Sequence, residues 1–80
     1  DIIIDDGLHE FHAGRSFFEG TIKHLSDDGI YVIEDVNPVC FLAYKDYFLT
    51  QTELYQADFF NLSRPGQNIG GNRLVVIRKN

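Results

Sequence analysis

The chain has 80 residues, of which 44% are hydrophobic, 24% are charged and 14% are aromatic. This length fits one small domain at most, and this composition excludes a disordered chain and a collagen-like repeat. A single cysteine, Cys40, excludes a disulfide framework and a zinc site built from several cysteines. No uncharged apolar run approaches the ~18 residues of a membrane span, so we expect no membrane partner.

Charge is distributed unevenly along the chain. Residues 1–40 carry a net charge of −7 and residues 41–80 a net charge of +2, which gives −5 for the whole chain. Nucleic-acid binding needs clustered lysine and arginine, so we expect no nucleic-acid partner. The acidic half is suited to hold a cation, although most of its carboxylates are expected to be solvated surface groups.

The first half of the chain predicts a βαβ unit. Residues 1–6 and 30–34 are short apolar runs, typical of strands that are buried on both faces of a parallel sheet. Residues 10–25 predict a helix, in which an apolar stripe is formed by Phe11, Phe18, Ile22 and Leu25 and widened by Phe17. Asp27-Asp28-Gly29 predicts a turn before the second strand. A crossover of this length implies parallel neighbouring strands.

The second half predicts a helix and then two strands. Asn37-Pro38 resembles an N-cap with proline at the first helical position, and a helix over 39–51 follows. Strands are predicted over 54–61 and 73–79, joined by a loop that leaves no room for a crossover helix. We therefore expect an antiparallel hairpin, and an α/β fold with the element order β-α-β-α-β-β.

Two acidic pairs follow the two predicted parallel strands, Asp5-Asp6 and Glu34-Asp35. The carboxyl ends of such strands form the ligand-binding edge of an open α/β sheet. Neighbouring strands lie about 4.8 Å apart, so carboxylates from both ends can converge on a cation. Oxygen ligands of this kind suit Mg²⁺, Mn²⁺ or Ca²⁺. The alternative is that these acids only solvate and cap the loops.

His9 lies three residues after Asp6 and is expected at the same edge. An imidazole beside a carboxylate–metal centre can act as a general base near neutral pH. A surface position is the alternative for His9, and it is the expected one for His12 and His24. Cys40 is expected to be a buried structural residue.

The strings DIIIDDGLH at residues 1–9 and GIYVIED at residues 29–35 resemble a known motif pair. They are similar to the second half of class I S-adenosylmethionine-dependent methyltransferases, and more narrowly to the metal-dependent sugar O-methyltransferases of macrolide biosynthesis. They are also similar to cephalosporin-hydroxylase-like proteins. Leu8 stands where the DDGSH motif has serine, and Asp28-Gly29 replaces a Gly-Gly turn.

This resemblance implies the C-terminal half of a Rossmann-like methyltransferase sheet, with residues 1–80 as a single partial domain. It implies that Asp6, Glu34 and Asp35 bind a divalent metal, with Mg²⁺ as the first choice. It further implies that His9 deprotonates a hydroxyl of a small-molecule substrate, and that Asp5 lies near the methyl-bearing end of S-adenosylmethionine. The lone cysteine and the location of that cofactor indicate the cytoplasm.

The resemblance also places a glycine-rich cofactor loop and the first three strands upstream of Asp1. We therefore expect the 80-residue chain alone to bind S-adenosylmethionine poorly or not at all. The first strand is expected to leave an unpaired sheet edge, through which copies of the chain can form a homo-oligomer.

Two alternatives to methyl transfer remain at this point. The chain can be a non-catalytic half-domain that serves as an interaction or assembly module. It can also belong to a metal-dependent hydroxylase or hydrolase that uses the same carboxylates with an activated water.

Overall fold

A four-stranded mixed sheet and two α-helices form the described part of the computed structural model, which comprises residues 1–6, 10–62 and 73–80. In chain order the elements are β1 (Ile2–Asp6), α1 (Phe11–Thr21), a 3₁₀ turn (Ile22–His24), β2 (Ile30–Glu34), α2 (Pro38–Leu49), β3 (Tyr55–Asn61) and β4 (Arg73–Lys79). The predicted element order and the mixed α/β class are confirmed. The predicted loop over 63–72 lies outside the described residues.

The strands lie in the order β1-β2-β4-β3. β1 and β2 are parallel neighbours, as the βαβ interpretation predicts. β4 runs antiparallel to β3, which confirms the hairpin, and it also pairs antiparallel with β2. β1 is therefore an edge strand of the sheet that the described residues form.

The start of α2 follows the predicted capping pattern. The side chain of Asn37 accepts a hydrogen bond of 2.8 Å from the backbone N–H of Cys40, and Pro38 occupies the first helical position. An asparagine cap satisfies a backbone donor that the first turn leaves unpaired, and proline at this position has no donor to lose. This cap fixes where the chain leaves the edge of the sheet and enters α2.

Both helices pack on the same face of the sheet. The core there is aromatic: the buried ring of Phe18 lies edge-on to Tyr31 and Phe48, with ring centroids 5.0 and 5.1 Å apart. The other buried core residues are Ile22, Leu25, Ile33, Val36, Cys40, Phe41, Tyr44, Val75 and Ile77. Cys40 is thus a buried core residue, as expected, and Phe41, Tyr44 and Phe48 of α2 lie in the same core.

The prediction that the first strand is buried on both faces is wrong. The side chains of Ile2 and Ile4 are 62% and 56% exposed. Successive residues of a strand point to opposite faces, and the described helices cover only one of them. The prediction that Phe17 widens the buried stripe of α1 is also wrong, because Phe17 is 41% exposed whereas Phe18 is buried.

None of the helices in the described residues is long and apolar enough to cross a lipid bilayer.

Candidate functional site

The carboxyl ends of β1 and β2 bring two of the predicted metal ligands side by side. Asp6 and Glu34 are register partners at the last position of the parallel pair. Register partners in a sheet project from the same face, and neighbouring strands lie about 4.8 Å apart. Asp6 is exposed and Glu34 is half-buried. The structure therefore places two carboxylates next to each other, accessible to solvent, at the edge that the sequence indicates.

Asp35 follows β2 directly and has an unusual backbone conformation. Its φ angle is +56°, in the left-handed region, and it is the only non-glycine residue with positive φ among those described. Aspartate tolerates this region better than most residues, but the conformation still costs on the order of 1–3 kcal/mol. The turn is held on its far side, where the N–H of Val36 donates to the carbonyl of Arg73 over 3.1 Å. Strain at the ligand edge of a sheet is typical of functional positions.

Asp5 lies on the opposite face of β1 from Asp6. It is only 3% exposed, and its Oδ2 atom has no hydrogen-bond partner among the described residues. Burial raises the pKa of Asp5, and the neighbouring charge of Asp6 raises it further. Asp5 thus faces the helix layer, away from the exposed edge where Asp6 and Glu34 lie.

Tyr44 and Gly14 surround the buried carboxyl of Asp5. A β-carbon added to Gly14 would lie 1.8 Å from the hydroxyl of Tyr44 and 3.9 Å from Oδ2 of Asp5. Glycine at position 14 of the chain therefore lets α1 approach this ring closely. In the described part of the chain the buried hydroxyl of Tyr44 has no hydrogen-bond partner, and burial together with the Asp5 charge raises the Tyr44 pKa.

Tyr31 of β2 adds a third polar group to the same interior. Its side chain is fully buried, and burial raises the pKa of Tyr31 to about 12, with Thr21 acting in the opposite direction and Asp5 adding to the increase. Sequence reasoning did not identify the two tyrosines as neighbours of Asp5. The alternation of side chains along each strand could have indicated this proximity, because it puts Asp5 on the same face of the sheet as Ile3 and Tyr31.

His9, the predicted general base, lies outside the described residues. His12 and His24 are both exposed, in agreement with the surface positions expected for them.

A cleft of about 460 Å³ lies between the starts of α1 and α2. Its lining is mainly apolar and comprises Glu10, Phe11, His12, Asn37, Pro38, Val39 and Cys40. Glu10 follows the β1 side of the edge and Asn37 follows the β2 side. The cleft therefore lies on the helix-covered side of the sheet, whereas Asp6 and Glu34 project from the opposite face.

The donor set at this edge can be compared with what a metal ion requires. Within residues 1–6, 10–62 and 73–80 there is no group of three or more His, Cys, Asp or Glu side chains arranged to hold an ion. Asp6 and Glu34 supply two hard oxygen ligands. Mg²⁺ is commonly held by one or two carboxylates, with water and substrate oxygens completing its octahedron. The pair therefore fits this ion by ligand type and number.

Comparison of the chain with protein-family models, with curated proteins and with solved structures finds no match.

Proposed function

We propose that this chain is part of a metal-dependent, S-adenosylmethionine-dependent O-methyltransferase that acts on a hydroxyl of a small molecule. The observation that carries the proposal is the in-register pairing of β1 and β2, which sets Asp6 beside Glu34 at the carboxyl edge. The resemblance of residues 1–9 and 29–35 to the methyltransferase motif pair names those same positions. The element order and the final antiparallel hairpin support the C-terminal half of a Rossmann-like sheet.

In this proposal Asp6 and Glu34 hold a divalent cation, with Mg²⁺ as the first choice and with water and substrate oxygens as its other ligands; Asp35 is the third candidate ligand that the resemblance implies. When bound, such an ion would lower the pKa of a substrate hydroxyl and orient it. Asp35 has a left-handed backbone conformation at the turn from β2 to α2. A role of its side chain in binding the metal would account for this strained conformation.

His9 would accept the proton of the substrate hydroxyl. Bound S-adenosylmethionine would supply the methyl group, which would pass to the deprotonated hydroxyl oxygen with S-adenosylhomocysteine as the leaving product. A neutral imidazole near pH 7 suits this role.

Calorimetric titration of the 80-residue chain with Mg²⁺ tests the metal site. We expect one saturable site that is lost in Asp6→Asn and weakened in Glu34→Gln. Asp46→Asn, at an exposed position on α2, is the control and should bind like the unaltered chain. Heat that never saturates, or equal binding in Asp6→Asn and Asp46→Asn, would contradict the proposal.

Turnover tests the reaction itself. In the complete enzyme that this proposal implies, His9→Ala should lower kcat by roughly 10²–10⁴-fold, the usual contribution of a general base. The folded structure, followed by circular dichroism, should be unchanged. Activity that survives both His9→Ala and Asp6→Asn would show that these roles are misassigned.

The uncovered apolar face of the sheet favours a second function, that of an interaction module without chemistry. Ile2 and Ile4 are exposed there, and exposed apolar patches commonly mark surfaces that bind another molecule. This function predicts no saturable metal site, so the same titration separates the two.

A further inference from the structure

A second cleft, of about 330 Å³, lies between α2 and β3, at the edge of the sheet opposite β1. Its lining includes, from α2, Lys45, Phe48 and Leu49 and, from β3, Tyr55, Ala57 and Phe59. Five of these six side chains are apolar or aromatic, and the volume is within the range of small-molecule sites. We call it the β3 cleft.

The residue pattern of β3 accounts for the hollow. Tyr55, Ala57 and Phe59 alternate onto the helix-covered face of the sheet. Ala57 pairs with Ile77, which is buried in the core, and this pairing fixes the face. Because the small side chain of Ala57 lies between two aromatic residues, it leaves space that a larger side chain would fill.

The ammonium group of Lys45 lies at this cleft. It is 4.7 Å from the ring centroid of Phe41 and 5.9 Å from that of Phe59. Cation–π contacts of this kind hold the ammonium group in place. The two ion pairs formed within the described residues lie elsewhere, on α1 and between β3 and β4, so Lys45 has no carboxylate partner among those residues.

Arg73 adds a second positive charge beside the same ring. Its guanidinium carbon lies 5.8 Å from the centroid of Phe41, so it is at most 10.5 Å from the ammonium group of Lys45. Arg73 likewise has no carboxylate partner in the part of the chain that the structure describes. Asp46, which follows Lys45 on α2, lines a different cleft that faces α1. The surroundings of Phe41 are therefore positive, although the whole chain carries a net charge of −5.

We propose that the β3 cleft binds a flat, largely apolar molecule that carries one negatively charged group, such as an aromatic carboxylate. The aromatic walls would contact the ring of the ligand, and Lys45 would pair with its charged group. An anion there would also reduce the repulsion between Lys45 and Arg73. The site does not depend on the proposed metal site, because β1 and β3 are three strand spacings apart, or about 14 Å.

Two probes of the same shape test the proposal, trans-cinnamate and the uncharged trans-cinnamamide. Titrations followed by the amide NMR signals of the chain should show saturable binding of cinnamate, with a dissociation constant of about 1 mM or lower for a ligand of this size. Cinnamamide should bind about fivefold more weakly, the upper range for an ion pair that water can reach. Added salt should reduce this difference. The signals that shift should be those around Lys45, Ala57 and Phe59.

A pair of lysine variants locates the charge that recognises the anion. Lys45→Gln should weaken cinnamate binding about fivefold and leave cinnamamide binding unchanged, because only the anion pairs with the ammonium group. Lys23→Gln is the matched control, since Lys23 is also exposed and lines a different cleft. It changes the net charge equally and should leave both affinities unchanged.

A pair of alanine variants tests the hollow itself. Ala57→Leu should fill it and weaken both probes by at least about tenfold, or 1.4 kcal/mol. Ala43→Leu is the control, because Ala43 is also half-buried but lines the cleft that faces α1. If Ala57→Leu does not fold, the two lysine variants still decide the proposal.

Four results would overturn the proposal. They are no saturable binding of cinnamate, equal binding of the two probes, an equal loss of cinnamate binding in Lys45→Gln and Lys23→Gln, and a folded Ala57→Leu that binds both probes as the unaltered chain does. The metal site is tested separately. Asp6→Asn should leave cinnamate binding unchanged, and Lys45→Gln should leave Mg²⁺ binding unchanged.

Discussion

The two faces of the sheet are built from alternate residues of the same four strands, yet they have opposite environments. On the face that carries α1 and α2, Tyr31, Ile33 and Val75 are buried. On the face that α1 and α2 leave uncovered, Ile2 and Ile4 are exposed, although the next residues along the strand, Ile3 and Asp5, are half-buried and buried. The difference shows that an apolar run predicts a strand reliably, whereas burial depends on which faces are covered.

Asp5 and Asp6 give the same comparison for two identical side chains. Asp5 points into the helix-covered interior, where burial raises its pKa, and Asp6 points outward beside Glu34. Two acids that are adjacent in a strand cannot both face one ligand site. The doublet therefore divides into a buried group and an accessible one.

The largest loss of stability is expected for Phe18, which is buried, whereas the adjacent Phe17 lies on the exposed side of α1. Phe18→Ala should lower the free energy of unfolding by about 3–5 kcal/mol, because it removes a fully packed ring. That is a large part of the roughly 4–12 kcal/mol expected for a domain of this size. Phe17→Ala should cost no more than about 1 kcal/mol. Urea unfolding measures both, and similar costs for the two would refute the assignment of the buried stripe.

The close approach of α1 to Tyr44 predicts the second-largest loss of stability, at Gly14. Gly14→Ala should lower the free energy of unfolding by about 1–3 kcal/mol, because the new methyl group would overlap the Tyr44 hydroxyl. Gly20→Ala is the control, since a β-carbon there meets nothing within 4 Å. It should stabilise the helix by up to about 1 kcal/mol.

A double-mutant cycle can confirm the source of that cost. Tyr44→Phe removes the hydroxyl and should relieve part of the destabilisation of Gly14→Ala, so the two changes should not be additive. Full additivity would mean that the two residues do not meet.

The buried carboxyl predicts a dependence of stability on pH. Because the pKa of Asp5 is raised in the folded chain, the folded state binds this proton more readily than the unfolded state does. The contribution of Asp5 to the free energy of unfolding is greatest below the ordinary value of 3.8 and falls as the pH rises from 3.8 through the raised pKa. Asp5→Asn should therefore be more stable than the unaltered chain at pH 7, and this advantage should shrink as the medium becomes acidic.

Asp46→Asn provides the comparison for this measurement, because position 46 is exposed. Its stability should follow that of the unaltered chain across the same pH series. An Asp5→Asn advantage that is constant with pH would exclude titration of Asp5 as its cause.

The smallest change in the free energy of unfolding is expected for substitutions of Asp35. Asp35→Gly should raise the free energy of unfolding by up to about 1 kcal/mol, since glycine adopts a φ of +56° without strain. If Asp35 also serves a ligand, the same change should weaken Mg²⁺ binding. Asp35→Ala should weaken both stability and binding, and a stability gain with alanine would contradict the left-handed assignment.

Much of the fold could be predicted from local signals. The Asn37-Pro38 cap, the Asp27-Asp28 turn and the absence of room for a crossover between the last strands act over a few residues, and each is confirmed. The insertion of β4 between β2 and β3 could not be predicted, because it depends on long-range pairing.

The candidate site could be predicted in part. The position of Asp6 beside Glu34 follows from parallel pairing, which the sequence indicates. The contact of Tyr44 with Gly14 and its proximity to Asp5 depend on how α2 packs across α1, and no local pattern encodes that. The left-handed conformation of Asp35 likewise results from the turn between β2 and α2. The role of His9 stays a prediction.

The central claim is that Asp6 and Glu34 form a divalent-metal site at the carboxyl edge of β1 and β2. Its most direct test is paramagnetic broadening of amide NMR signals by Mn²⁺ at a small fraction of the protein concentration. The account predicts early loss of the signals of Asp6, Glu34 and Asp35, with Asp27 and Asp28 at the opposite strand ends unaffected, and no selective loss in Asp6→Asn. Equal broadening at both acidic ends, or the same pattern in Asp6→Asn, would contradict it.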